Sequence, residues 1–126
     1  MENQFVGYNE AKQLSELGFS EECFAGYLKK EKTLWIGYVS SQGGEQFNRE
    51  YHILAPTFSQ AFKFFREKHG YYVDLFVDDD KTFGFMISYF VEIGRTDKPI
   101  QRKYNTYEEA ELECLKKLIE ITKEKK

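Results

Sequence analysis

The two histidines, His52 and His69, are the first side chains to consider as metal ligands or acid–base groups. A zinc site needs three or four converging ligands. Neither histidine has a second ligand side chain three or four residues further along, where the two would share a helix face. We therefore expect no metal site and no cofactor. His69 precedes Gly70 at the end of an apolar helical stripe, which is typical of a packed histidine that also suits the helix dipole.

Three consecutive aspartates, Asp78, Asp79 and Asp80, raise the question of cation binding. A calcium loop needs acidic residues at alternate positions, a glycine and a more distant glutamate. Consecutive aspartates in a hairpin point in different directions, so we interpret them as a solvated turn. The helix dipole explains the acidic start of the last helix, which holds Glu108, Glu109, Glu111 and Glu113.

The chain also lacks a recognisable nucleophile. No serine lies in a G-x-S-x-G context, and Gly43-Gly44 is not part of a phosphate-binding loop. Cys23 and Cys114 are far apart and form no CxxC motif, so we interpret both as reduced core residues, with a disulfide or redox pair as the alternative. The sequence therefore does not support an enzyme, which would need a site assembled from distant residues.

Composition and length indicate a small globular protein. The 126 residues suit one domain, predicted to span residues 1–126, and the aromatic content of 17% means that rings fill much of its core. A net charge of −3 disfavours a broad duplex nucleic-acid surface. The start MENQFVGYNE has no signal-peptide pattern, and the apolar run 83–91 is far shorter than the roughly 20 residues of a membrane helix. We expect a cytoplasmic protein with no membrane partner.

Helix and strand signals alternate along the chain. Asn9 is predicted to cap a helix over 10–17 that Gly18 ends, and a β-hairpin is expected over 23–30 and 33–40. Polar residues 40–50 favour a loop, and 51–54 an extended piece. Thr57 and Gln60 form a capping box. The apolar stripe of the helix behind it consists of Phe58, Ala61, Phe62, Phe65 and His69.

Strand and helix signals also alternate in the second half of the chain. A second hairpin is expected over 71–77 and 82–94 around DDDK, followed by a loop at GRTDKPIQ. Thr106 and Glu109 form another capping box, before a helix over about 107–124. Short links between strands favour antiparallel pairing. We predict an α+β fold, with an antiparallel sheet of four to five strands in two hairpins and two to three helices packed on one face.

Alternation along the second hairpin separates its two faces. The odd-numbered positions are apolar or aromatic, and we expect helices to cover them. The even-numbered positions mix large side chains with polar ones: rings and Met86 stand beside Asp74 and Glu92. Three explanations remain open, namely cover by a loop or the N-terminal segment, self-association or a protein partner, and a small-molecule or peptide groove. The partner-binding candidates are Tyr72, Phe76, Met86 and Phe90.

A basic edge on the middle helix supports an alternative function. Lys63, Arg66 and Lys68 lie there, and Lys29, Lys30 and Lys32 cluster at the first hairpin turn. Such an edge, with aromatic side chains nearby, favours single-stranded nucleic acid over duplex.

Four short motifs resemble small proteins of Bacteroides-type gut bacteria and of their phages and mobile elements. The motifs here are LSELGF at 14–19, LAPT at 54–57, REKH at 66–69 and YEEA at 107–110. The family has no assigned activity, so the resemblance implies a bacterial accessory protein and transfers no site residue. We hypothesise a non-enzymatic protein-interaction module or homo-oligomer. The alternative is a phage or mobile-element factor that binds single-stranded nucleic acid through the basic edge.

Overall fold

The described part of the computed structural model contains three helices and six strands, which makes the protein an α+β protein. The model describes residues 4–21, 23–39, 52–91, 94–99 and 103–124. The elements follow in the order α1 (Tyr8–Glu16), β1 (Cys23–Leu28), β2 (Leu34–Val39), β3 (His52–Leu54), α2 (Phe58–His69), β4 (Tyr71–Val77), β5 (Phe83–Val91), β6 (Gly94–Pro99) and α3 (Tyr107–Glu124). The predicted loop at 40–50 lies outside the described residues.

The strands form two separate three-stranded antiparallel sheets, one in each of two compact units. The first unit ends at Ala61 and the second begins at Phe62, within α2. The sheet orders are β2-β1-β3 and β4-β5-β6. Both predicted hairpins are present, but the prediction that they share one sheet is wrong. Hairpin pairing follows from local turns, whereas sheet membership depends on contacts distant in sequence, which strand periodicity does not encode.

The first unit is built around β1, the central strand of its sheet. β1 pairs with β2 through partners such as Gly26 and Trp35, and with β3 through partners such as Tyr27 and Ile53. The N-terminal segment is also tied in, because the Val6 amide donates to the Pro56 carbonyl at 2.9 Å and the Tyr27 hydroxyl donates to the Val6 carbonyl at 2.8 Å. A short third strand therefore joins a hairpin that would be marginal alone.

The start of α1 differs from the sequence prediction. The helix begins at Tyr8, its N-cap is Gly7, and no side chain caps it, so Asn9 lies within the first turn. The predicted cap is wrong because the helix starts two residues earlier, at Tyr8, shortly after the buried residue Val6. The predicted end is confirmed, since Gly18 has a φ of +100°, a conformation that disfavours side chains with a Cβ.

The second unit places α3 on the β4–β5 hairpin. β4 and β5 pair in continuous register from Tyr71 with Tyr89 to Val77 with Phe83, and α3 contacts both strands. The Phe83 and Tyr107 rings meet edge to face at 6.3 Å, so α3 lies on the odd-numbered face, as predicted. The buried residues of α3 are Ala110, Cys114, Leu115, Leu118, Ile119, Ile121 and Thr122.

Strand β6 was predicted as a loop. It pairs antiparallel with β5, with Gly94 opposite Val91 and Pro99 opposite Met86. Its residues GRTDKP lack both alternation and β-branched content apart from Thr96. As an edge strand it needs neither a buried face nor a second ladder, and it tolerates Pro99 at its end.

The capping box of α2 forms as predicted. The Gln60 amide donates to Thr57 Oγ1 at 3.2 Å, and the Thr57 amide donates to Gln60 Oε1 at 3.0 Å. At the other end, the His69 ring packs on Phe64 and Phe65 at centroid distances of 5.3 and 5.9 Å, which confirms a packed histidine. Phe64 is buried although the predicted stripe omitted it.

Both cysteines are free and buried, as predicted. Burial, together with the charge of Glu21, raises the pKa of the Cys23 thiol to about 12. Burial raises the pKa of the Cys114 thiol further, with Glu111 as a second cause. The reactive thiolate is therefore scarce at neutral pH at both positions.

Among the described residues, no helix combines the length and apolar character needed to cross a membrane.

Replacing Thr57 with alanine should lower the free energy of unfolding by about 1 kcal/mol, because the helix loses the Thr57 Oγ1 acceptor. Urea denaturation followed by circular dichroism measures the change. Ser59→Ala is the matched control, since Ser59 is exposed in the same helical turn. Equal losses in the two variants would contradict the cap.

Native thiols should react slowly with an aromatic disulfide reagent at pH 8. A pKa near 12 instead of 9.0 leaves Cys23 about a thousandfold less thiolate. Absorbance should therefore show almost no reaction in the native protein and two thiols in guanidinium. Ser59→Cys supplies an exposed thiol as the positive control. A rapid native reaction of either natural cysteine would contradict its burial.

Candidate functional site

The even-numbered face of the β4–β5 hairpin carries the clearest exposed aromatic surface of the second unit. Tyr72 lies opposite Ser88, and Phe76 lies opposite Gly84. Tyr72 is 44% exposed and Phe76 is 39% exposed, which is high for rings of this size. Met86, between these two pairs on β5, is half-buried. Three of the four predicted partner-binding residues are therefore brought together, and the Phe90 side chain lies outside the described part.

The Phe76 ring leans from the edge strand β4 over the middle strand β5. A Cβ placed on Gly84 would lie 2.9 Å from the Phe76 Cε2 and Cζ atoms, a distance that real side chains do not tolerate. The absence of a side chain at Gly84 thus leaves room for the far end of the Phe76 ring.

Polar groups accompany the rings. The Asp74 side chain is exposed on β4 between Tyr72 and Phe76, whereas Ser88 is only 7% exposed on β5. The N-terminal segment, one of the expected covers, pairs within the first unit through a bridge between Phe5 and Thr57. We call the surface formed by Tyr72, Phe76 and Met86 the ring face.

Two exposed apolar residues were missed by sequence reasoning. Val77 is 60% exposed although it occupies an odd-numbered position, and Phe24 is 64% exposed on β1. Val77 is the last residue of β4, next to the turn, where alternation no longer predicts cover. Phe24 lies between the buried residues Cys23 and Ala25, so alternation places its side chain on the other face of β1.

The basic edge of α2 is divided. Lys63 Nζ lies 3.7 Å from Glu67 Oε1, and both side chains are about half exposed. Lys68 follows Lys63 by five residues, which places it about 140° around the helix. The three basic residues therefore do not form one stripe, and an acidic partner lies among them.

The last carboxylate of the aspartate turn, that of Asp80, is bonded to other residues of the protein. Asp80 Oδ1 accepts bonds from the Thr82 amide and hydroxyl, and Asp80 Oδ2 lies 2.7 Å from Lys103 Nζ. The hydrogen bond from Lys103 is the largest cause that lowers the pKa of Asp80. The geometry fits a solvated turn.

Within the described ranges, no three His, Cys, Asp or Glu side chains are grouped to hold a metal ion.

A cleft in the first unit was not predicted. It has a volume of about 310 Å³ and lies between the end of α1 and the short strand β3. Its polar lining comes from Ser15, Ser20, Lys29 and His52. Its apolar lining comes from Phe19, Ile53 and Leu54, which are at most 8% exposed. Ser20 and His52 were judged separately in the sequence, where nothing indicated that the fold brings them to the same cleft.

Comparisons with protein-family models, with curated proteins and with solved structures found no match to this chain. The resemblance to small proteins of Bacteroides-type bacteria and their mobile elements therefore stays a prediction.

Proposed function

We propose that this protein is a non-enzymatic interaction module that self-associates by packing its ring face against the ring face of a second copy. The observation that carries the proposal is the exposure of Tyr72 and Phe76 on one sheet face. Rings of this kind supply large contact area at low conformational cost and are enriched at protein interfaces. The proposal places the protein in the bacterial cytoplasm, as the sequence features favour.

The position of Phe76 supports sheet-to-sheet packing. Its ring lies over Gly84 on the middle strand and is 39% exposed, so a second sheet that approached to about 10 Å would contact it. Asp74 is exposed between Tyr72 and Phe76, and its place on the edge strand β4 leaves its carboxylate beside solvent at the border of the contact. A two-fold arrangement uses the same patch on both copies and therefore needs no other partner.

The size of the surface indicates a weak assembly. Three strands of six to nine residues provide a sheet face with a flat area of only about 300 Å². This area leaves out the additional surface of the protruding side chains. Stable complexes bury about 800 Å² on each partner. We therefore expect a dimer that forms in the micromolar range or above and dissociates on dilution.

The nucleic-acid alternative receives less support. Phosphate binding depends on several cations that act together. On α2 the Lys63 ammonium is paired with Glu67, and Lys68 lies on a different side of the helix from Lys63. No described feature favours it over the ring face.

Wild-type protein should show a concentration-dependent sedimentation coefficient between about 10 μM and about 1 mM, the range expected for a small interface. Phe76→Ser and Tyr72→Ser should each raise the protein concentration at which half of the chains are dimeric by about tenfold. Each substitution removes a large part of the contact area. Phe24→Ser is the matched control, since it removes an exposed phenylalanine from the other unit.

A wild-type protein that stays monomeric over this range would show self-association to be wrong. An equal response to Phe24→Ser and Tyr72→Ser would also count against the ring face, because it would reflect general surface apolarity.

A further inference from the structure

We propose that the cleft of the first unit binds a small carboxylate that carries an apolar ring. The proposal is independent of the ring face, since all the described lining residues belong to the first unit. The cleft volume of about 310 Å³ falls at the lower end of the range for small-molecule sites. A single-ring molecule is therefore a better match than a nucleotide or a peptide.

The charge of the cleft selects an anion. Lys29 and His52 contribute nitrogen groups and Ser15 and Ser20 contribute hydroxyls, and none of the described aspartates and glutamates lines the cleft. Lys29 has no ion-pair partner among the described residues, so none of their carboxylates neutralises its ammonium. A cationic lining is notable in a chain whose net charge is −3.

The strand edge adds a backbone donor. The Ala55 amide donates to the Ala25 carbonyl at 3.0 Å. Backbone direction alternates along an antiparallel pair, so Ile53 also faces β1 and Leu54 presents its N–H and C=O to the opposite side. On that side β3 pairs with no other described strand.

The cleft borders this edge of β3. Three consecutive residues of β3 line it, although their side chains alternate between the two sheet faces. The Leu54 N–H is thus placed to donate to a carboxylate that also contacts Lys29.

The apolar wall selects the rest of the ligand. Phe19 is 5% exposed, Ile53 is 6% exposed and Leu54 is 7% exposed, so these side chains are fixed by the core before any ligand arrives. A preformed wall binds an apolar group without the entropic cost of ordering it. Aromatic rings pack favourably on Phe19 in offset or edge-to-face geometry. The ligand is therefore amphipathic, with the anion toward Lys29 and the ring toward Phe19.

Titration of the ¹⁵N-labelled full-length protein with benzoate tests the site by nuclear magnetic resonance. The amides of Gly18, Ser20 and Leu54 should shift in a saturable manner. Benzamide has the same shape without the charge, and it should bind about fivefold more weakly. Inorganic phosphate lacks the ring, and it should also bind more weakly than benzoate.

Lys29→Gln should weaken benzoate binding by about fivefold, a magnitude suited to an exposed cation. Lys30→Gln is the matched control, because Lys30 is the exposed neighbour and does not line the cleft. Both positions are on the surface, so the spectra of the two variants should retain wild-type dispersion. Equal weakening by the two substitutions would reveal unspecific charge attraction and overturn the site.

Three other results would overturn the proposal. These are the absence of saturable shifts with benzoate, equal affinity for benzamide, and stronger binding of phosphate than of benzoate. Saturable shifts confined to the second unit would overturn it too, because they would place the ligand elsewhere.

Discussion

The register of the β4–β5 hairpin determines what the second unit buries and what it exposes. Tyr71 pairs with Tyr89 and Val77 pairs with Phe83, with no shift between them. Because side chains alternate, a slip of one residue in this pairing would put Tyr72 and Phe76 on the same face as Phe85 and Ile87. The packing of α3 stabilises the observed register, because the buried stripe of α3 contacts the odd-numbered face. Phe85 and Ile87 on that face are at most 2% exposed. The ring face is thus the complement of the α3 contact.

The first unit depends on β1 in a comparable way. Its central position lets it pair with a hairpin partner and with a strand of only three residues. β3 is short because the chain turns at Ala55 and Pro56 into the capped start of α2. The N-terminal segment then pairs beside Thr57, and α1 packs against β3. The cleft arises where the chain leaves α1 at Gly18, beside the edge of β3 that pairs with no other described strand.

Much of the local structure could be predicted because its causes are local. Thr57 and Gln60 specify a helix start within four residues, Gly18 permits a positive φ, and the stripe of α3 has the helical period over five turns. β6 and the division into two sheets could not be predicted, since a polar edge strand has no periodic signal and sheet membership depends on distant pairing. The ring face could be found from alternation alone. The cleft could not, because Ser15, Lys29 and His52 are brought together only when β1, β3 and α1 have assembled.

A purely structural explanation accounts for part of the ring face. A glycine inside a strand costs stability, and an aromatic ring laid across it from the neighbouring strand restores contact with the exposed backbone. Phe76 stands in that relation to Gly84, so its position serves the sheet even without a partner. Tyr72 lies opposite Ser88 rather than a glycine and is more exposed than Phe76, so covering a glycine does not account for its position. The two positions therefore separate the two causes. A residue that only repairs the sheet affects the free energy of unfolding, whereas a residue that serves an interface affects association while the isolated chain keeps its stability. Tyr72 is the more direct probe of function, and Phe76 reports on function and stability together.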